Sequence, residues 1–183
     1  MSRIAAIDPA QTQGKTREIL GAVHKMLGVT PNLFRTVAQS PAALEGLVSL
    51  SGATAKGTLG AGVREAIALT VAEANGCDYC LSAHSVLGKG AGLGDGDIDR
   101  ARDAAASDPR TAAILRFARA VVAERGRIGD GELATLHRAG VSDGEALEVV
   151  ANVVLNIFTN YVNLVADTEI DFPVVRAKLA AVK

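Results

Sequence analysis

Two cysteines stand three positions apart in this 183-residue chain, Cys77 and Cys80, and His84 follows four positions later. On a helix that turns about 100° per residue, Cys80 lies about 60° and His84 about 20° behind Cys77, so all three project from one narrow stripe. Two thiols at that spacing can form a disulfide at a helix start, and an imidazole four residues on can exchange a proton with the second thiol. The first turn of a helix also carries free N–H groups and partial positive charge, which favour a thiolate. A cysteine with a pKa near 8.5 is only about 3% ionised at pH 7, and a fall to about 6.5 makes it mostly thiolate, the form that attacks a peroxide oxygen or a disulfide. The expected cycle is attack, a sulfenic acid on one sulfur, condensation with its neighbour, and reduction of the disulfide by an external dithiol.

Other readings of the pair stand beside this one. In a reducing compartment, so short a bridge is not a structural staple, because it removes little chain entropy. The pair with His84 could also hold zinc, which needs a fourth ligand, although His24 and His137 are isolated in the sequence. The cysteines would also fit a role as plain core residues. A thioredoxin-like fold is disfavoured because no strand precedes the motif. Haem attachment would require His directly after the second cysteine, where Leu81 stands. Glu65, twelve residues before Cys77, lies off the apolar stripe of its helix; taken alone it reads as a solvated or capping carboxylate.

The elements that must position these groups are helical. Periodicity of three to four residues runs through the chain, punctuated by Gly and Pro, and no segment alternates with period two. Helices are expected at Gln11–Leu27, ending at Gly28, and at Asn32–Ala38, Pro41–Lys56 and Ala61–Asn75, with Gly76 as a stop. The cysteine pair opens the next, to Leu87. Gly88–Gly96 is glycine-dense and is expected to be a mobile loop. Helices follow at Asp97–Ala106, Pro109–Arg125, Gly131–Ala139 and Gly144–Ala166. The last is apolar almost all round, which places it at the centre of a bundle or in a subunit contact. A shift of 80 positions sets Gly60 on Gly140 and Glu65 on Glu145, a faint internal repeat. The fold class is all-α, a single domain over 1–183.

Composition narrows the function classes. A hydrophobic fraction of 49% gives ample core, while 3% aromatics and no Trp favour closely packed helices over a β-sandwich. The net charge of −1, without a Lys/Arg run, gives no reason to expect nucleic acid. The first residues lack the apolar stretch of a signal peptide, and no uninterrupted apolar run reaches the roughly 18 residues of a membrane span. A cytoplasmic protein with no membrane association is expected.

Glu65, Cys77-x-x-Cys80 and His84 at this spacing resemble the signature of the AhpD-like alkylhydroperoxidases, within the carboxymuconolactone decarboxylase superfamily. Asn160-Tyr161-Val162-Asn163 and Asp167-Thr168-Glu169-Ile170-Asp171-Phe172-Pro173 are similar to the peroxidase-related subgroup, so the resemblance spans about Pro31 to Pro173. It implies an AhpD-like helical bundle, a homo-oligomer (trimer or hexamer), and no metal or bound cofactor. It implies a hydroperoxide substrate and a dithiol reductant, a thioredoxin-like or lipoyl protein. By the same resemblance Cys80 is the peroxidatic sulfur, Cys77 the resolving one and His84 the base. Glu65 is then the outer end of a proton relay, through water. The helix-dipole argument alone favours Cys77 as nucleophile; adjacency to His84 and the resemblance favour Cys80. Tyr79 and Leu164 stand where relatives carry histidines, which removes two proton carriers, since a phenol of pKa near 10 is a poor base at pH 7. The alternatives are a zinc-binding structural protein and a non-redox, lactone-type decarboxylase of the same superfamily.

Asn152, Asn156, Asn160 and Asn163 recur at helical spacing along the last helix. A buried unpaired amide costs on the order of 1–3 kcal/mol. The stripe therefore requires partners, either other helices or subunits, or, for Asn160 and Asn163, a pocket facing the thiols.

Overall fold

The computed structural model describes residues 2–178. After a short 3₁₀ turn (Pro9–Gln11) come α1 (Gly14–Leu27), α2 (Asn32–Val37), α3 (Pro41–Thr54), α4 (Ala61–Ala74), α5 (Asp78–Gly90), α6 (Asp95–Arg102), α7 (Pro109–Ala123), α8 (Asp130–Arg138) and α9 (Asp143–Ala166), with no strand among the described residues. Starts and stops follow local chemistry. Ser40 and Asp108 cap α3 and α7 just ahead of Pro41 and Pro109, and Ser142 and Glu145 form a capping box on α9. Gly28 (φ 75°) ends α1, and Gly76 (φ 65°) turns the chain between α4 and α5, a backbone state in which a Cβ would be strained.

The centre of the bundle is α4. Every residue from Ala66 to Glu73 is buried, and α4 packs on α5, α6, α7 and α9. Its small residues, Ala66, Ala68 and Ala72, let those neighbours approach on several sides. Of the two placements expected for α9, the centre of the bundle is taken by α4 instead. One face of α9 is buried, through Val149, Val153 and the four asparagines, while Leu147, Val154, Tyr161 and Val165 stand exposed on the other. A stretch of α9 has the length and mean hydropathy (1.5) of a membrane span, but it packs on α2, α3, α4, α5 and α7, as a core helix does.

Two further expectations change. Gly88–Gly96 is loop only at 91–94: α5 continues to Gly90 and α6 begins at Asp95. Gly88 lies four residues after His84 on the same side of α5, and a Cβ there would lie 3.9 Å from Cβ of Glu65 and 3.2 Å from a Leu93 methyl. The missing side chain lets α5 close on α4. The repeat at a shift of 80 has no counterpart in the elements either. It lays the break at Gly76 onto Asn156, inside the uninterrupted helix α9.

Past α9 the chain returns along α5. Val175 N–H donates to Ser82 Oγ (2.9 Å) and Ala177 N–H to Asp78 Oδ1 (2.8 Å). The buried Glu73–Arg102 pair (2.7 Å) holds the same strap, with Arg102 also donating to the Arg176 carbonyl. Leu69 of α4 is fully buried. Leu69→Ala is expected to lower stability by about 2–5 kcal/mol in urea denaturation, the range for a large-to-small change in a packed core.

Candidate active site

Cys77 is not a helical residue. Its backbone is extended (φ −93°, ψ 93°), it is the N-cap of α5, and its Sγ accepts the Cys80 N–H at 3.4 Å. The helical-wheel geometry expected for all three groups therefore holds only for Cys80 and His84. Both cysteines are free thiols and both are buried, at 1% and 2% exposure. They differ in what they face: Cys80 lines a cavity of about 450 Å³, and Cys77 does not. Ala83, His84 and Leu87 continue the Cys80 face of α5 along the same wall.

The two thiols are electrically unequal. A hydrogen bond from the Cys77 thiol pulls Cys80 down to about 7 against the cost of burial, helped by the charge on His84 and by the Asn163 and Asn160 amides. Asn163 Nδ2 donates to Cys80 Sγ at 3.3 Å. Cys77 is pushed up, first by the hydrogen bond it gives to Cys80 and then by burial. The dipole argument from sequence fails because Cys77 spends its sulfur on the cap and lies outside the first turn.

His84 Nδ1 meets Glu65 Oε2 at 2.7 Å, a direct contact rather than one through water. Burial lowers the His84 pKa, but the charge and hydrogen bond of Glu65, with the Cys80 sulfur, outweigh it and raise the value. Glu65 is 23% exposed at its side chain, a cavity-wall group and not a solvated one. No direct hydrogen bond joins His84 to Cys80 among the described residues; the two act on each other through charge.

The asparagine stripe divides its work. Asn160 Oδ1 accepts from Asn75 Nδ2 at 2.9 Å, tying α9 to the end of α4, while its own Nδ2 has no hydrogen-bond partner among the described residues. Asn152 and Asn156 line the cavity, and each gives its Nδ2 to the carbonyl four residues back in α9 at 2.8 Å. That bond fixes the amide orientation and leaves both Oδ1 atoms as acceptors.

Tyr79, read from sequence as a weak substitute for a histidine, is a strut. Its hydroxyl accepts from Leu33 N–H (3.0 Å) and donates to Asp171 Oδ1 (2.8 Å), and its ring meets Phe172 edge to face at 5.8 Å. Burial, with Asp171, raises its pKa even though the Leu33 N–H opposes the rise, so it is not a base. Asp171 also accepts the Asn32 N–H (2.8 Å), so this network closes the cavity wall formed by Pro31, Leu33, Phe34 and Phe172. Sequence reasoning missed Asp171 as Tyr79's partner, 92 positions away, because nothing local couples them. It also passed over Arg64, which lines the cavity beside Glu65. Leu164 is partly exposed on α9 and does not line the cavity. Among the described residues no three His, Cys, Asp or Glu groups converge to hold a metal ion.

The site thus sets Cys77 and Cys80 at the start of α5, with His84 on the same helix paired to Glu65 of α4. Residues 41–124, which carry Glu65, Cys77, Cys80 and His84, match the model of the carboxymuconolactone decarboxylase family. The fold is similar to the crystal structure of an alkylhydroperoxidase AhpD core, a peroxidase-related protein from Ralstonia eutropha JMP134, with TM-score 0.85 and 23% identity over 93% of this chain and 92% of that one. It is similar to the debrominase Bmp8, solved as a cysteine-to-alanine variant with 2,3,4-tribromopyrrole, with TM-score 0.79 and 21% identity over 92% and 91%. A peroxidase-related protein from Silicibacter sp. TM1040 aligns with TM-score 0.77 and 20% identity over 91% of each chain. Comparison with curated proteins gives no significant match.

The Asn163 contact predicts a measurable effect. Asn163→Ala is expected to move the Cys80 pKa upward and cut its thiolate fraction below pH 7 about tenfold, the equivalent of one charge-assisted hydrogen bond. Thiolate absorbance near 240 nm against pH reads it, and an unmoved titration would contradict the contact.

Proposed function

We propose that the protein is a thiol-dependent peroxidase that reduces hydroperoxides through a Cys77–Cys80 disulfide cycle. The observation that carries this is the Cys80 sulfur, drawn down to about 7 on the wall of a mostly apolar cavity, with a second thiol bonded to it. The Cys80 thiolate attacks the terminal oxygen of ROOH; an S–O bond forms and the O–O bond breaks. His84, whose pKa Glu65 raises against the cost of burial, supplies the proton with which ROH leaves. Cys77 then attacks the sulfenic sulfur, water departs, and the disulfide is reduced by a dithiol. A thioredoxin-like or lipoyl protein in the cytoplasm fits as reductant, because the cycle needs a two-electron thiol donor and a reducing compartment.

Peroxide treatment of the reduced protein is expected to give a Cys77–Cys80 bridge by mass spectrometry, and a supplied dithiol to sustain peroxide consumption. Cys80→Ser is expected to abolish both. The rate constant for peroxide should climb with pH through about 7 as Cys80 ionises, then fall once His84 loses its proton above its raised pKa. A flat profile, or intact thiols after peroxide, would sink the reading.

A second reading rests on the Asn152 and Asn156 oxygens, which suit a ring bearing an N–H, and on the tribromopyrrole bound by Bmp8. The same dithiol would exchange a ring bromine for hydrogen, leaving a disulfide and HBr. Bridge formation driven by tribromopyrrole and not by peroxide would select it.

The protein is also proposed to be a homo-oligomer, a trimer or hexamer, joined through the outer face of α9. Leu147, Val154 and Tyr161 recur there every seven residues, an exposed apolar seam on a long helix. The Val154→Glu, Tyr161→Glu double variant is expected to be a folded monomer by light scattering and circular dichroism. A monomeric parent protein would remove the proposal.

A further inference from the structure

The cavity wall carries three other groups whose charges answer one another. Glu65 and His84 are joined at 2.7 Å, and the Cys80 thiolate is set against the His84 cation. Arg64 is different. Its Nη1 donates to the Leu59 carbonyl, which brings no counter-charge, and no carboxylate among the described residues forms an ion pair with it. A guanidinium beside apolar surface with no anion is costly, and its remaining N–H donors form a planar fork that matches a carboxylate. The rest of the wall is mostly aliphatic and aromatic, including Met26, Phe34, Leu47, Leu87, Leu155 and Phe172. A volume of about 450 Å³ suits a small organic molecule.

We propose that the cavity takes an amphipathic monocarboxylate, its carboxylate held by Arg64 and its apolar body by the hydrophobic wall that leads to Cys80. The substrate clause rests on the peroxidase reading above: the hydroperoxide is that of an organic acid. Its O–O bond breaks as the S–O bond forms on Cys80, the sulfur gives up two electrons, and the hydroxy acid leaves with its carboxylate unchanged. Arg64 thus determines specificity and takes no part in the electron transfer.

The test uses two probes of equal length on the reduced full-length protein, octanoate and octan-1-ol, with binding measured by calorimetry. Octanoate is expected to bind about tenfold more tightly, the contribution of one charge-assisted pair, and to slow iodoacetamide labelling of Cys80. In Arg64→Gln the ratio between the probes is expected to fall to about one. Should that variant not fold, the contrast between probes in the parent protein decides alone. Equal binding of acid and alcohol, or octanoate binding that leaves Cys80 labelling unchanged, would overturn the proposal. Neither readout needs turnover. Acid preference without peroxide consumption upholds the anchor and removes the peroxidase, and peroxide consumption without acid preference does the reverse.

Discussion

The hydrogen bond from the Cys80 backbone N–H to the Cys77 sulfur organises everything around it. It makes Cys77 a cap rather than a member of the helix, closes the first turn of α5, and brings the two sulfurs into contact in an asymmetric way. Cys77 receives one backbone proton and lends its own to Cys80, so the negative charge that two adjacent thiols can share settles on the second. The turn at Gly76 delivers the chain into that cap, and the left-handed backbone there explains why the break between α4 and α5 is so tight.

Around that start the bundle supplies the remaining groups from separate elements. Helix α4 contributes Glu65, and the close approach at Gly88 brings it onto His84. Helix α9 contributes amides behind the sulfur and along the cavity floor. The segment after α9 folds back to seal the chamber through Asp171 and Phe172. The match to the carboxymuconolactone decarboxylase family model covers 41–124, the stretch that holds the four motif residues, while the apolar wall draws on both that stretch and the flanking α1, α2 and α9.

Much of this was legible in the sequence, for identifiable reasons. Helix ends at Gly28, Pro41, Pro109 and Ala166 depend on local backbone preferences, which a single chain displays openly. The Glu65, Cys80 and His84 grouping was legible because its spacing is that of a known motif. What escaped were contacts between distant residues, such as Tyr79 with Asp171 and Asn75 with Asn160. The glycines after His84 misled because composition suggests a loose loop, whereas one of them serves close helix packing. The helical wheel misled at Cys77 because a cap residue does not share the helix's geometry.

One consequence follows from the difference in what the two sulfurs face. A small electrophile entering the chamber, whether an oxidant, an alkylating agent or a soft cation, meets the thiol of Cys80 and not that of Cys77. The chain thus separates two chemically identical side chains by access as well as by charge, keeping one at the door and the other in reserve behind it.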